Sequence, residues 1–497
     1  MYTIKKESQH KQIMQPQDKQ GLSTIFHVAD ELMPEDDSYE KLLNISKNKN
    51  VFHHIAALTD IHSKPGRKNP TGSVVATEGV LMPQLNDSAP NCGMRMMKTP
   101  FFKNDFSEEK IDELFQELSK TIPTKSYLGT FLDHETILNI SSRGVEPLLE
   151  KLGKDKSELE NILLKGNMFG EEKITKKELF ESLPRLFFRI AQGRLGILGA
   201  AGNHFLDLLL VEDILDEKNA KKLGVAKDQY VLLMHTGSGM FGQYASYFYM
   251  PKKKEHLSQK FVYELARKTF LKNNIGWHKT LKKDLPAYEN KDAFFTISEN
   301  SELKKHFLVA HNAAANHGFA NRALLQIKIE ETINKVFGKK ESLPLVYDMS
   351  HISIMKENHF GKNVWVHRNG SVRAFGPKKM KGIKLYEETG EPVFVPSSMS
   401  TPAYLGVATD QNESTFFSAP HGTGKSGKET SEVPKNRDEL IQKMDSKKVR
   451  LYNGKSKGII NQDSSRYKNI EPAIEGMKNN GVMNPVAKMR PVAVLMA

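Results

Sequence analysis

The chain has one cysteine, Cys92, among 497 residues, so no intrachain disulfide can form and a disulfide-stapled extracellular scaffold is excluded. Tryptophan is nearly as scarce, with two residues. No apolar run approaches the ~18 residues of a membrane span, and the opening MYTIKKESQHKQIMQPQDKQG has no apolar core of a signal peptide. A soluble, cytoplasmic protein without membrane contact is expected. No repeat of fixed period, low-complexity tract or Ser/Pro-rich linker divides the sequence. What remains is ordinary globular composition, 38% hydrophobic, with a surplus of 13 positive charges that suits a polyanionic partner such as nucleic acid or nucleotide.

Periodicity gives both element types. Ile111, Leu114, Phe115 and Leu118 recur at helical spacing behind Ser107 as N-cap and ahead of Pro123. Further helical patterns cover about 134–152, 157–165, 176–192, 256–272, 310–336 and 434–445. Short β-branched or apolar runs between them read as strands, among them 73–76, 205–211, 230–234, 345–347, 364–367, 372–375, 393–395, 404–408, 415–418 and 492–495. Asn369-Gly370, between VWVHR and SVRAF, predicts a two-residue hairpin. Residues 1–22 are expected to be a flexible polar tail, and 23–497 one α+β domain with a helical insertion at about 251–305.

Several of the 17 histidines share one local pattern, an apolar strand running into His and then a Gly- or Ser-containing turn. VLLMHTGSGMFG places His235 there, LVYDMSH places His351, and GAAGNHFLDL carries His204. With Cys92 in APNCGM these side chains offer a thiolate and imidazoles for Zn²⁺, Mn²⁺, Fe²⁺ or Co²⁺. Taken singly, each also fits a packed thiol or a hydrogen-bonded core histidine. A second feature is APHGTGKSGKET, which satisfies the GxxxxGK pattern through Gly422, Gly427 and Lys428. Glu429 follows the lysine where a P-loop needs Ser or Thr for Mg²⁺, which counts against a P-loop NTPase. Three readings stay open: that NTPase, a glycine-rich surface loop, and a loop bringing backbone close to phosphate beside a nucleophilic histidine, His421.

PNCGM, GNHFLDL, HTGSG, NAAANHGFANR, YDMSH, VHRNGSVRAF, PVFVPSSMSTPAY, HGTGK and the final RPVAVLMA, preceded by TDIH and PTGSVVAT, occur in the order found in the RtcB family of GTP-dependent RNA ligases, which the chain resembles from about Asp60 to Ala497. The resemblance implies a complex single-domain α+β fold of mixed sheets surrounded by helices. It implies joining of RNA 3′-phosphate or 2′,3′-cyclic phosphate ends to 5′-hydroxyl ends in tRNA splicing or RNA repair, with GTP, one or two Mn²⁺ ions and an accessory activating protein. By position, Cys92, His204, His235 and His351 resemble the metal ligands, with Cys92 bridging two ions, and His421 the histidine that becomes guanylylated. Asn203, Asp207, Ser398, Gly422, Thr423, Gly424 and Lys425 resemble nucleotide contacts, with Asp207 standing for the usual Glu and Lys425 for the usual Arg. Ala89 replaces an Asp ligand three residues before the cysteine, with Asp87 nearby; Ile352 replaces Asn, Met496 replaces a near-terminal Lys, and GAAGNHF carries an extra alanine. These departures keep in view a paralogue that binds nucleotide or RNA ends without ligating them.

Overall fold

The structure is a computed structural model that describes residues 1–17, 21–86, 89–124, 132–199, 202–249, 261, 265, 268, 293–426, 432–454 and 458–497. Among them, no helix is long and apolar enough to cross a membrane. Most of the predicted helix at 256–272, most of the expected insertion at 251–305, and Asp87, Gly427, Lys428 and Glu429 lie outside the described residues.

Two sheets meet at the centre of this α+β architecture. The first has seven strands in the order β1 (Tyr2–Ser8), β2 (Lys11–Pro16), β3 (Thr24–His27), β4 (Val51–His62), β5 (Thr71–Thr77), β13 (Lys362–Asn369), β12 (Ile352–His359). The second has eight: β11 (Leu345–Ser350), β7 (Gly93–Phe102), β9 (Gln229–Thr236), β8 (Phe205–Ile214), β19 (Met483–Met496), β16 (Ala403–Ala408) and β15 (Pro392–Val395), with β18 (Arg450–Asn453) parallel to β19. Two small ribbons complete them, β6 (Val80–Leu81) with β10 (Ile297–Ser298), and β14 (Ser371–Arg373) with β17 (Ser418–Pro420).

The helix Glu302–Phe337 runs for 36 residues, roughly 54 Å at 1.5 Å per residue. Its apolar and small residues lie on all sides and most are buried, so it is a central strut rather than a surface helix. The helix Glu108–Thr121 begins as its sequence predicts: Ser107 accepts from the Lys110 amide at 3.3 Å, and Ile111, Leu114, Phe115 and Leu118 face the core.

Five sequence expectations are corrected. Tyr2–Pro16 forms a strand pair instead of a loose tail, because a few apolar anchors suffice: Met14 is fully buried and Tyr2 stacks on Tyr39 at 5.7 Å. The pattern at 134–152 divides at Gly144, whose φ of +75° and closeness to the Gly166 carbonyl admit no side chain; the pattern at 176–192 divides at Pro184. Residues 157–166 form two short 3₁₀ turns. Finally, Asn369-Gly370 makes no hairpin. Both edges of β13 are already taken by β12 and β5, so β14 turns away at Gly370, φ +73°, and pairs with β17. The actual two-residue turn, Phe360-Gly361 with both φ positive, joins β12 to β13.

Candidate active site

Four strands end at one edge of the second sheet. Cys92 immediately precedes β7, His204 immediately precedes β8, and His235 is the penultimate residue of β9; His351 lies between β11 and β12, where the chain leaves one sheet for the other. The register makes them neighbours, since Gly93 is opposite both Thr236 and Ser350 and Phe205 is opposite His235. Side chains far apart in sequence thereby converge. Cys92 Sγ lies 3.4 Å from His204 Nε2 and 3.3 Å from His235 Nε2, and His235 Nε2 lies 3.1 Å from His351 Nε2.

Whether this group suits a cation depends on where the ring protons are. His204 Nδ1 is 2.8 Å from the Leu198 carbonyl and His235 Nδ1 is 2.9 Å from the Asn203 carbonyl. A carbonyl can only accept, so both rings donate through Nδ1 and turn the Nε2 lone pairs inward. Burial then favours the uncharged rings: it holds His204 down at about 4 and, with neighbouring imidazoles, holds His235 and His351 well below the usual histidine value. Burial pushes the Cys92 thiol up to about 11 against the opposing charges of Arg322 and Lys64; a bound divalent ion would reverse that. Cys92, His235 and His351 place one donor atom each within 4.8 Å of one another. These residues fit a metal, with His204 adjacent through the same sulfur. Cys92→Ala should weaken divalent-ion binding by at least the 10–100-fold order that loss of a supporting contact alone costs, read by metal analysis after dialysis. A cysteine serving only as packing predicts unchanged metal content.

A cleft of about 520 Å³ opens beside this cluster. Part of its floor is one row across the sheet, Met94 on β7, His235 on β9, Phe205 on β8 and Met496 on β19, each opposite the next. Asp207, two residues beyond Phe205 on the same face, also lines it. Its cross-strand neighbours are Leu233 and Val494, one oxygen has no partner among the described residues, and burial pushes its carboxyl well above the usual range. The opposite side is the His-Gly-Thr-Gly-Lys loop following β17. Gly422, Thr423, Gly424 and Lys425 line the cleft with Asn203 and Ser398, so the structure brings together every residue singled out as a nucleotide contact.

His421 stands between cleft and cluster. Its ring stacks on His351 with centroids 4.1 Å apart and planes 15° apart. Nδ1 lies 2.8 Å from the Gly370 carbonyl and 2.6 Å from Asp60 Oδ2. The corner at Gly370 is thus part of the site. Burial raises the Asp60 pKa, but His421 and His62 beside it more than offset this and hold the carboxyl below its ordinary range. The Gly370 carbonyl can only accept, so it fixes the proton on Nδ1, with the Asp60 carboxylate beside that N–H as a charged neighbour, and the Nε2 lone pair is left free.

Sequence reasoning gave no role to Asp60, although TDIH flagged its position, nor to Tyr467, Phe205 or Lys64 of the cleft wall. It also missed a buried charge network behind Cys92. Arg322, on the long helix, donates to the carbonyls of Asn91 at 3.2 Å and Thr236 at 2.8 Å and pairs with Asp348, which also pairs with Arg95. Of the departures, Ala89 packs toward Gly242, Ile352 is buried at the start of β12, and Met496 faces the cleft.

A family model described as tRNA-splicing ligase RtcB matches residues 41–497. The chain is 29% identical to a tRNA-splicing ligase RtcB of Methanococcus maripaludis over 94% of this chain and 93% of that protein. It is 27% identical to the protein of the same name from Pyrobaculum aerophilum, over 94% and 92% of the two chains. Against an RNA-splicing ligase RtcB homolog 1 of Entamoeba histolytica the identity is 27%, over 82% and 72%. With a match across nearly its whole length, the chain belongs to the tRNA-splicing ligase RtcB family.

Proposed function

We propose that this protein is an RNA ligase that joins a 3′-phosphate or 2′,3′-cyclic phosphate end to a 5′-hydroxyl end, consuming GTP and carrying GMP on His421. The observation that carries this reading is the arrangement of His421: a ring whose Nδ1 is committed to Gly370 and Asp60, stacked on a metal-competent histidine and lining a cleft of nucleotide size. A phosphate monoester is a poor electrophile and must first be activated. His421 Nε2 attacks the α-phosphorus of GTP, a P–N bond forms and pyrophosphate leaves. Positive charge developing on the ring is stabilised by the Asp60 carboxylate. A 2′,3′-cyclic end is first opened by water to the 3′-phosphate; an oxygen of that phosphate then attacks the phosphorus of His421-bound GMP, breaking the P–N bond and making an anhydride, and the 5′-hydroxyl of the second RNA end, losing its proton, attacks the 3′-phosphorus and expels GMP.

The chain's other groups bind and orient. Lys425 and Lys64 bring positive charge to the cleft wall, where phosphates must lie; burial lowers the Lys425 pKa, and Lys64 and Arg466 lower it further, a crowding of cations that an anion relieves. Phe205, Tyr467 and Met496 offer apolar surface to a base, and Asp207 a hydrogen-bonding edge. Mn²⁺ held by Cys92, His204, His235 and His351 would supply Lewis acidity and neutralise phosphate charge.

Incubation of the purified protein with α-labelled GTP and Mn²⁺ should leave label covalently on the protein, and RNA with 3′-phosphate and 5′-hydroxyl ends should be sealed under the same conditions. Label without sealing is the signature of a paralogue that binds nucleotide but does not ligate. Absence of label with every nucleotide tried overturns the role of His421.

A further inference from the structure

Within β4, the pairing with β5 loses register between Ala57 and His62, and the parallel pairing with β3 ends at Leu58. The peptide groups around Asp60 therefore leave the regular ladders, and their carbonyls need other donors. His62 Nδ1 lies 2.7 Å from the Asp60 carbonyl oxygen. The two flanking carbonyls share one donor: Lys468 Nζ reaches Thr59 O at 3.0 Å and Ile61 O at 2.9 Å. Lys468 also holds the other half of the site through its main chain. Its amide donates to the Gly424 carbonyl at 3.1 Å, and the Ser426 amide donates to Arg466 at 2.9 Å, so residues 424–426 are strapped to 466–468 as a short antiparallel ribbon. The fit is close: a Cβ on Gly424 would lie 2.6 Å from Asp60 Oδ1. One residue thus joins the strand that carries Asp60 to the loop that carries His421.

We propose that Lys468 is a positioning residue for nucleotidyl transfer to His421: by clamping the two carbonyls that flank Asp60 against the 421–425 loop, it fixes the carboxylate facing Nδ1 and so the direction in which Nε2 points. This rests on His421 being the nucleophile. Its ammonium sits in a costly place, since burial brings its pKa down to about 8 although Asp60 and Asp36 oppose the shift. An apolar side chain could fill the same volume without that desolvation, but it would leave two carbonyls unpaired and the Asp60 strand free to shift. A displacement near 1 Å of an aligned nucleophile is enough to cost on the order of 10²-fold in rate.

Lys468→Met keeps the length and removes the donors. In single-turnover labelling with α-labelled GTP and Mn²⁺, its rate should fall on the order of 10–100-fold while GTP affinity stays within about threefold. Lys468→Arg should recover part of the rate, and methylammonium should partly rescue Lys468→Ala, which covers the case of a poorly folded methionine variant. The deciding measurement is a double-mutant cycle with Asp60→Asn: if Lys468 acts through Asp60, adding Lys468→Met to that background should cost no more than about twofold. Fully additive losses, or a wild-type rate in Lys468→Met, overturn the positioning role alone. Absence of label from the wild-type protein overturns the nucleophile reading, and this role with it.

Discussion

His421→Ala is expected to abolish covalent labelling by GTP and to reduce RNA sealing by on the order of 10⁴-fold or more, the scale of removing a covalent nucleophile. Metal content should stay at the wild-type level, because Cys92, His204, His235 and His351 keep their mutual contacts without the fourth ring. Stability should fall modestly, by about 1–3 kcal/mol, since the buried Asp60 loses one of its partners but retains His62. The companion variant Asp60→Asn separates the nucleophile from its orientation. Gly370 still accepts from Nδ1 at 2.8 Å, so the tautomer survives, and only the carboxylate's charge and its second contact are lost. The expected loss is on the order of 10–100-fold, well short of the ~10⁴-fold cost seen where a carboxylate alone sets the tautomer of a catalytic histidine. Labelling by His421→Ala at any appreciable rate would mean that another group carries the nucleotide.

The parts of this site that could be read in the sequence are those built on a short-range pattern. An apolar run ending in His and a small-residue turn is a buried strand reaching a sheet edge, so His235 and His351 announced their positions, and the glycines after His421 announced a loop that backbone or phosphate can approach closely. Long-range pairing carries no such mark. Asp60 is set against His421 by a break in strand register and by a lysine 408 positions away, as Lys468 to Asp60, and nothing local to either residue signals the other. Asn369-Gly370 shows the same limit from the opposite side: the dipeptide does favour a tight turn, but whether the following strand folds back depends on whether its neighbour's edges are free, and β13 has none. The N-terminal strands escaped notice because an edge ribbon exposes most of its residues and needs few apolar anchors, here Met14 and Tyr2. The charge network behind Cys92 was hidden for a related reason, as Arg95, Arg322 and Asp348 read individually as surface residues and are fully buried only because they pair.

That network yields the largest expected effect on folding. Asp348 lies between Arg95 and Arg322, with contacts of 3.1 and 2.7 Å, and all three side chains are inaccessible to solvent. Asp348→Ala leaves Arg95 with Glu158 alone, at 2.9 Å, and removes the carboxylate that Arg322 pairs with, and the expected cost is about 3–5 kcal/mol, the order measured when one member of a buried ion pair is removed. Replacing the three fully buried charges, as Arg95→Met, Asp348→Leu and Arg322→Met together, leaves only the partly exposed Glu158, which water can reach, and should return part of that stability. It should not return the site. Arg322 donates to the carbonyls of Asn91 and Thr236, the residues immediately before Cys92 and after His235, and its second terminal nitrogen holds the Asn91 side chain at 2.9 Å. A methionine cannot hold those peptides in place, so the triple variant should be more stable in urea than Asp348→Ala and yet bind divalent ions and take up GMP as poorly. If stability and metal binding return together, the network is only a folding element, and the sulfur and imidazoles need no support from the helix beneath them.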